Sequence, residues 1–318
     1  MSRKLLAPFI LMMVLIISAC GSNNTASNPS PSPSASESTA PDAGNNGNSG
    51  TITYQSELGP VEVPANPQRI VALSSAPNLL SLGAKLVGVD EWTYGNPLFT
   101  EMLTDTAVVS DTNLEKILEL EPDLILAGAQ LNNISKLQEI APTVVYTWGK
   151  NDYLTQQLEV GKLINKEKEA QAWIEDFTKR AEELGKKVKE KIGEDATVSV
   201  IEVGDNKTFY VFGNNFARGT ELLYQAMGLN MPEKVKQDAL ESGLFTLSTE
   251  VLDQYAGDWI ILSRNSKADV SFMELETWKN IPAVKNGHVI EIDTEASSYS
   301  DPTTLDNLFK IFEEGFLK

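Results

Sequence analysis

The feature that most constrains this chain is an uninterrupted helical pattern near its middle. From Glu167 to Ile192 there is no proline, and Trp173, Phe177, Ala181, Leu184, Val188 and Ile192 recur at spacings of 4, 4, 3, 4 and 4 residues. That period puts one apolar stripe on a helix whose other positions are rich in Lys and Glu. At about 1.5 Å per residue the helix runs for roughly 38 Å. Two separate sets of apolar, strand-like runs flank it. Ile70–Ser74, Leu86–Val89, Leu124–Ala127 and Val144–Thr147 precede it; Val198–Val203, Tyr210–Phe212, Trp259–Ser263 and Val289–Ile292 follow it. Shorter helical patterns, among them Asn78–Leu82, Leu114–Leu120 and Thr220–Met227, fall between these runs. Alternation of this kind predicts α/β lobes with mostly parallel strands. One rod between two such sets predicts an N-terminal lobe over 51–166, an interlobe helix over 167–192 and a C-terminal lobe over 193–318.

The first fifty residues have a different character. Arg3 and Lys4 precede an apolar run from Leu5 to Ile17, which ends in Ile17-Ser-Ala-Cys20. The run is shorter than the ~20 residues that a membrane span needs, and it has the form of an export signal. Cys20, the one Cys in the chain, sits where a lipobox is cleaved. The expectation is therefore a leader over 1–19 and a diacylglycerol thioether on Cys20. Residues 21–50 are dominated by Ser, Asn, Pro, Ala and Gly, which cannot build a core, so 20–50 is expected to be a lipidated tether. Its r.m.s. reach is roughly 30 Å. The natural setting is the outer face of a bacterial membrane, of Gram-positive type.

Charge and composition remove other possibilities. Among 318 residues, 44 Asp and Glu outweigh 26 Lys and Arg, for a net charge of −18. Such an excess argues against nucleic acid, whose phosphates need a basic surface. A single Cys and a single His leave no set for a disulfide framework, a Cys zinc site or a three-His metal site.

A weak internal repeat is also present. The segment Asn113–Leu126 resembles Ser248–Ile261 at an offset of 135 residues. Each opens a short helix with a Glu, places an Asp eight residues later and continues into a buried strand. Glu115 and Glu250 are thus expected at equivalent places on two similar lobes. As acids at helix starts, both also suit the helix dipole.

Three segments together resemble a known family: Pro67-Gln-Arg69-Ile-Val-Ala-Leu-Ser74, Leu80-Ser-Leu-Gly83-Ala-Lys-Leu-Val-Gly88-Val-Asp90, and Leu118-Glu-Leu-Glu-Pro122-Asp-Leu-Ile125. They are similar to the substrate-binding proteins of bacterial ABC importers for iron-siderophores and cobalamin, and the likeness extends over 51–318. It implies two Rossmann-like α/β lobes bridged by a single long helix, with ligand in the cleft between them. A closer resemblance, to the ferric hydroxamate-binding lipoproteins of Gram-positive bacteria, lies in Phe209-Tyr210-Val-Phe-Gly213-Asn-Asn-Phe216-Ala-Arg218-Gly219 and in Ser298-Tyr299-Ser-Asp301-Pro302. It implies that Phe216, Arg218 and Tyr299 face the siderophore; many relatives carry Trp-Gly-Arg where this chain has Phe216-Ala217-Arg218. It further implies that Glu115 and Glu250 dock on a permease dimer driven by its ATPase.

A hexadentate siderophore fills the ferric coordination sphere, so the protein needs neither a metal ligand nor a cofactor. Aromatic walls pack the ligand's arms, and a guanidinium donates forked hydrogen bonds to metal-bound oxygens; Arg218 is the expected donor. Ligands of open α/β sheets lie beyond the carboxyl ends of the strands. That rule adds Trp92 and Tyr94 after Leu86–Val89 and Trp148 after Val144–Thr147, with Arg264 and Asn265 as weaker candidates; Tyr210, in the segment that carries the closer resemblance, completes the expected ligand-binding set. One placed Arg among aromatics favours a hydroxamate, while Lys150 and Lys207 leave ferric catecholate or citrate open. Haem would call for an axial ligand such as His288, and cobalamin for aromatic clamps without Arg218. An exported hydrolase is the other class, but the chain has no Gly-x-Ser-x-Gly elbow and no His-Glu-x-x-His helix. The expectation is a monomeric binding protein with small lobe movement, because a single rod must bend or twist for the cleft to close.

Overall fold

One long helix joins two five-stranded sheets in which the strands follow the same spatial order. The computed structural model describes residues 50–204 and 208–318. The leader over 1–19, Cys20, the tether as far as Ser49, and Lys207 lie outside the described residues.

The first part opens with a hairpin, β1 (Thr51–Ser56) and β2 (Gly59–Pro64). It continues as β3 (Ile70–Ala72), α1 (Ala76–Ser81), β4 (Leu86–Val89), α2 (Glu91–Gly95) and β5 (Ala107–Val108). Next come α3 (Leu114–Glu119), β6 (Leu124–Gly128), α4 (Ile134–Ile140), β7 (Thr143–Tyr146) and α5 (Tyr153–Leu163). The strand order is β5-β4-β3-β6-β7, and every pair is parallel. Along β6 the buried run alternates between two cores: Leu124 and Leu126 join one with Ile70, Leu79 and Phe99, while Ile125 and Ala127 join the other with Val71 and Ile117. A parallel sheet covered on both faces needs this continuous apolar run.

The bridging helix α6 spans Glu167–Ile192, as its pattern predicts. Phe177, Ala181, Leu184 and Val188 are buried along its stripe. Full burial of a ring such as Phe177 contributes about 1.5–3 kcal/mol. Gly185 extends the stripe where α6 crosses a later segment: a Cβ there would lie 2.2 Å from the carbonyl oxygen of Met227.

The second part comprises β8 (Val198–Val203), β9 (Thr208–Phe212), a π-helical segment over Glu221–Ala226, α7 (Glu233–Ala239) and β10 (Leu244–Ser248). A 3-10 turn, Thr249–Val251, leads into α8 (Leu252–Tyr255) and β11 (Trp259–Arg264). Short helices α9 (Glu276–Lys279) and α10 (Pro282–Lys285) precede β12 (Val289–Asp293) and the final α11 (Pro302–Leu317). The order β10-β9-β8-β11-β12 repeats that of the first sheet. Here, however, β9 is antiparallel to β8 and to β10, and only β8, β11 and β12 run parallel. The expectation of mostly parallel strands therefore holds in full only for the first sheet. The physical reason is connection length: four residues separate β8 from β9, room for a hairpin but not for a crossover. The helical pattern expected over Thr220–Met227 is wound as a π-segment.

Helix α11 returns along α6 and ties to it. Trp173 Nε1 donates to Asp306 Oδ2 at 3.0 Å, and Arg180 Nη2 to Asp306 Oδ1 at 2.7 Å. Asp301 caps α11 by accepting from Thr303 N and Thr304 N, with Pro302 at the first turn. Among the described residues no helix is long and apolar enough to cross a membrane.

Candidate ligand-binding site

Between the two sheets lies a cavity of about 510 Å³, within the usual range for a small-molecule site. From the first part it is lined by residues at or beyond strand ends: Leu73–Ser75 after β3, Asp90 and Thr93 after β4, Gln130 after β6, and Tyr146 at the end of β7 with Thr147–Gly149 after it. Pro77 and Asn78 on α1, Asn151, and Tyr153 and Gln156 on α5 complete that wall. From the second part come the 215–218 loop, Glu221 on the π-segment, and the 298–301 turn after β12. This is the carboxyl-end placement expected of an open α/β sheet.

Aromatic rings meet across the cleft. Trp148, 72% exposed, stands edge-on to Phe216 with centroids 5.3 Å apart. Phe216 in turn stacks on Phe212 at 5.6 Å and lies against Gly243, where a Cβ would come within 2.6 Å of its ring. Tyr299 enters from the opposite side, near the Phe99 ring at 6.0 Å, its hydroxyl 2.9 Å from Thr93 Oγ1. Burial and the nearby Asp90 carboxylate push the Tyr299 phenol well above its ordinary range. Asn96 Nδ2 donates to the Glu295 carbonyl at 2.6 Å, a further bond between the two parts.

Arg218 lines the cavity from a constrained loop. Ala217 and Arg218 have φ of 58° and 54°, and Gly219 follows at 80°. Left-handed backbone at two non-glycine residues is uncommon and is held only where surroundings enforce it. Several bonds do so here. Arg218 N donates to Ser297 O at 2.7 Å, Ala217 N to Glu221 Oε1 at 3.1 Å, and Phe216 N to Thr220 Oγ1 at 3.0 Å. The guanidinium donates to Glu202 on β8, with Nε 2.8 Å from Oε2 and Nη2 3.3 Å from Oε1, and its centre lies 5.2 Å from the Phe212 ring centroid.

Glu221 forms part of the cavity wall and is almost wholly buried. Burial raises its pKa above the ordinary 4.5, although the donors Ala217 N and Thr220 Oγ1 pull the other way. A carboxyl with a raised folded-state pKa contributes stability below its unfolded value and loses it as pH climbs through the folded value. Asp301, raised by burial in the same sense, is present in both proteins. Glu221→Gln is therefore expected to gain melting temperature relative to the unaltered protein as pH rises from about 4.5 toward neutrality. Calorimetric melting at a series of pH values reads this directly, and parallel curves for the two proteins would contradict it.

The structure brings Trp148, Phe216, Arg218 and Tyr299 to one cavity and leaves three expected residues out of it. Trp92 and Tyr94, 57% and 43% exposed, do not line the cavity. Asp90 caps α2 by accepting from Thr93 N at 2.9 Å and Thr93 Oγ1 at 2.6 Å. Asp90 and Thr93, three apart, face the cleft, so their neighbours 92 and 94 are turned to either side. Tyr210 also lies outside: it pairs with Glu202 in the sheet and packs over Gly204, where a Cβ would be 2.7 Å from its ring.

The weaker candidates are occupied elsewhere. Arg264 pairs with Glu291 at 2.6 Å, Asn265 donates to Glu295, and Lys150 pairs with Glu57 at 3.3 Å. His288 stacks on Trp259 at 4.3 Å and does not line the cleft. Glu115 and Glu250 are exposed, away from the cavity. Each lies in the helical turn preceding the strand that flanks its sheet's central strand, β6 beside β3 and β11 beside β8. The equivalence read from the repeat is thus a real one in the fold.

Sequence reasoning missed Glu202 and Glu221. Glu221 carries a faint signal, an acid followed directly by Leu222 and Leu223; Glu202 sits in an apolar strand run, where an acid implies a buried partner.

Comparison with known proteins agrees with this geometry. A family model described as periplasmic binding protein matches residues 70–296. The iron(3+)-hydroxamate-binding protein YxeB of Bacillus subtilis is 36% identical, covering 99% of this chain and 96% of that protein. The iron(3+)-hydroxamate-binding protein FhuD of the same organism is 31% identical over 98% of this chain and 96% of its own. Among solved structures, FhuD2 from Staphylococcus aureus with bound ferrioxamine B superposes with a TM-score of 0.75 at 34% identity, covering 79% of this chain and 98% of that one.

Proposed function

Because the chain belongs to the periplasmic binding protein family, we propose that it captures a ferric siderophore of hydroxamate type and delivers it to an ABC importer. The observation that carries this reading is the cleft itself. One guanidinium and the rings of Trp148, Phe216 and Tyr299 converge on a cavity whose wall also holds amides and hydroxyls such as Asn78, Gln156, Ser74 and Ser300 and the carboxyls of Asp90, Glu221 and Asp301. A ferric trihydroxamate presents metal-bound oxygens on one face and methylene or peptide arms around it. Arg218 suits the oxygens, and the rings suit the arms. The names of the relatives, both iron(3+)-hydroxamate-binding proteins, favour the same ligand class.

In this reading Glu115 and Glu250, one exposed acid per lobe, register the loaded protein on the two subunits of a permease dimer. Exposed ion pairs are individually weak, so they set orientation more than affinity. Cys20 carries the lipid anchor that keeps the domain at the outer membrane face, and the protein acts as a monomer.

Trp148 is the built-in reporter. Titration of residues 48–318 with ferric hydroxamates, a ferric tricatecholate and ferric citrate, followed by Trp fluorescence, is expected to show saturable quenching by the hydroxamates. Most of that signal should vanish in Trp148→Phe. Tight binding of catecholate or citrate instead would overturn the ligand class, and no response to any iron complex would overturn siderophore capture.

A further inference from the structure

Arg218 does not enter the cleft as a free charge. Its Nε and Nη2 are engaged by Glu202, whose side chain is 11% exposed and which is absent from the cavity wall. The carboxylate stands behind the guanidinium. It is held in place independently: Ser263 Oγ on β11 donates to Glu202 Oε2 at 2.9 Å, and Thr294 Oγ1 lies 2.9 Å from Ser263 Oγ. Around this pair the cavity is lined by Asp90, Glu221 and Asp301, and Arg218 is the one cation among the described lining residues. The cleft thus has a forked donor but no excess of positive charge.

We propose that Glu202 is a specificity-determining residue that neutralises Arg218 from behind, so that the guanidinium offers hydrogen bonds while anionic ferric complexes are rejected. The inference rests on the siderophore reading above and names the charge class that the site accepts: neutral or cationic ferric hydroxamates, against ferric citrate or a ferric tricatecholate. The physical basis is that fields inside a low-dielectric cleft decide between ligands of equal size and different charge. Without the carboxylate, Arg218 would present a full positive charge to any polyanion entering the cavity.

Glu202→Gln removes the charge and keeps one acceptor oxygen, which at the Oε2 position still serves Arg218 Nε and Ser263 Oγ; the Nη2 contact is given up. Dissociation constants would be measured for a neutral cyclic ferric trihydroxamate, a cationic linear one, ferric citrate and a ferric tricatecholate, at low and at high salt. The expected result is a shift in the anion-to-hydroxamate affinity ratio of about tenfold or more in favour of the anions, largest at low salt and smaller at high salt. Equal losses for all four complexes would reduce Glu202 to a structural support and overturn the proposal, as would an unchanged ratio. Ser263→Ala, which loosens the carboxylate without altering charge, should leave the ratio unchanged; a shift as large as that of Glu202→Gln would count against charge as the cause. Should Glu202→Gln not fold, the unaltered protein still decides: affinity for ferric citrate that rises as salt is lowered would show a net positive cleft and refute the idea. Failure of the unaltered protein to bind any hydroxamate would instead strike the functional reading itself.

Discussion

Arg218→Ala is expected to weaken ferric hydroxamate binding by on the order of 10- to 150-fold, the loss of one hydrogen bond from a charged donor at about 1.5–3 kcal/mol. The same change should also destabilise the fold, for a separate reason. Arg218 and Glu202 are only 15% and 11% exposed at the side chain, so removing the cation strands a nearly buried carboxylate. Breaking such a pair costs about 3–5 kcal/mol, and a domain of this size shifts its melting temperature by roughly 2–4 °C per kcal/mol. The two effects separate in the double variant Arg218→Ala/Glu202→Ala. Stability should return by several degrees because no unpaired charge remains, whereas hydroxamate affinity should stay at the Arg218→Ala level. Calorimetric melting and ligand titration on the same three proteins measure both. Hydroxamate affinity within twofold of the unaltered protein in Arg218→Ala would remove Arg218 from the site and leave it a sheet-anchoring residue.

A second large effect is expected far from the ligand, at Gly185. In an isolated helix Gly→Ala stabilises by about 1 kcal/mol. Here the added methyl would lie 2.2 Å from the Met227 carbonyl oxygen and 2.8 Å from its backbone carbons. The obstacle is backbone at the end of the π-segment, so it cannot rotate away. Overpacking of this kind costs about 1–3 kcal/mol and occasionally more, and it outweighs the propensity gain. Gly185→Ala should lower the melting temperature by roughly 4–8 °C, the top of the cost less the propensity gain, while Lys186→Ala, on the exposed face of the same helix, should change it little. Because the π-segment carries Glu221, which accepts from Ala217 N, the displaced helix should also weaken ligand binding. Equal melting of Gly185→Ala and the unaltered protein would mean that α6 and the π-segment are looser than their contact distances say.

Much of the architecture is legible in the residues because the signals are long. The stripe from Trp173 to Ile192 has no competing interpretation as strand, and it becomes α6 with the expected limits. The Val/Ile/Leu runs become β4 and β8 at their expected ends because strands buried on both faces are mostly apolar, even where β8 admits Ser199 and Glu202. Strand direction is less legible. Val203 and Thr208 are too close in sequence for a parallel pair, and that spacing alone marks β8–β9 as a hairpin. The edge strand β10 has exposed Phe245, Thr246 and Ser248, so its pattern resembles a loop more than a core strand.

The site divides along similar lines. Trp148, Phe216, Arg218 and Tyr299 occur in local segments whose character survives without knowledge of tertiary contacts. Trp92 and Tyr94 stand outside the cavity lining because a five-residue helix has no readable face until its Asp90 cap sets the rotation. Glu202 and Glu221 stay hidden because their meaning lies in partners elsewhere in the chain, Arg218 for one and the Ala217 amide for the other.

The central claim, that a ferric hydroxamate lies in this cleft under Arg218, is tested most directly by a crystal structure of the complex with ferrioxamine B, recorded at the iron edge. The account predicts one anomalous iron peak between Arg218 and the Trp148, Phe216 and Tyr299 rings, with a guanidinium nitrogen within hydrogen-bonding distance of a metal-bound oxygen. An iron peak outside the cleft, or a complex seated there with Arg218 turned away and bonded only to Glu202, would contradict it.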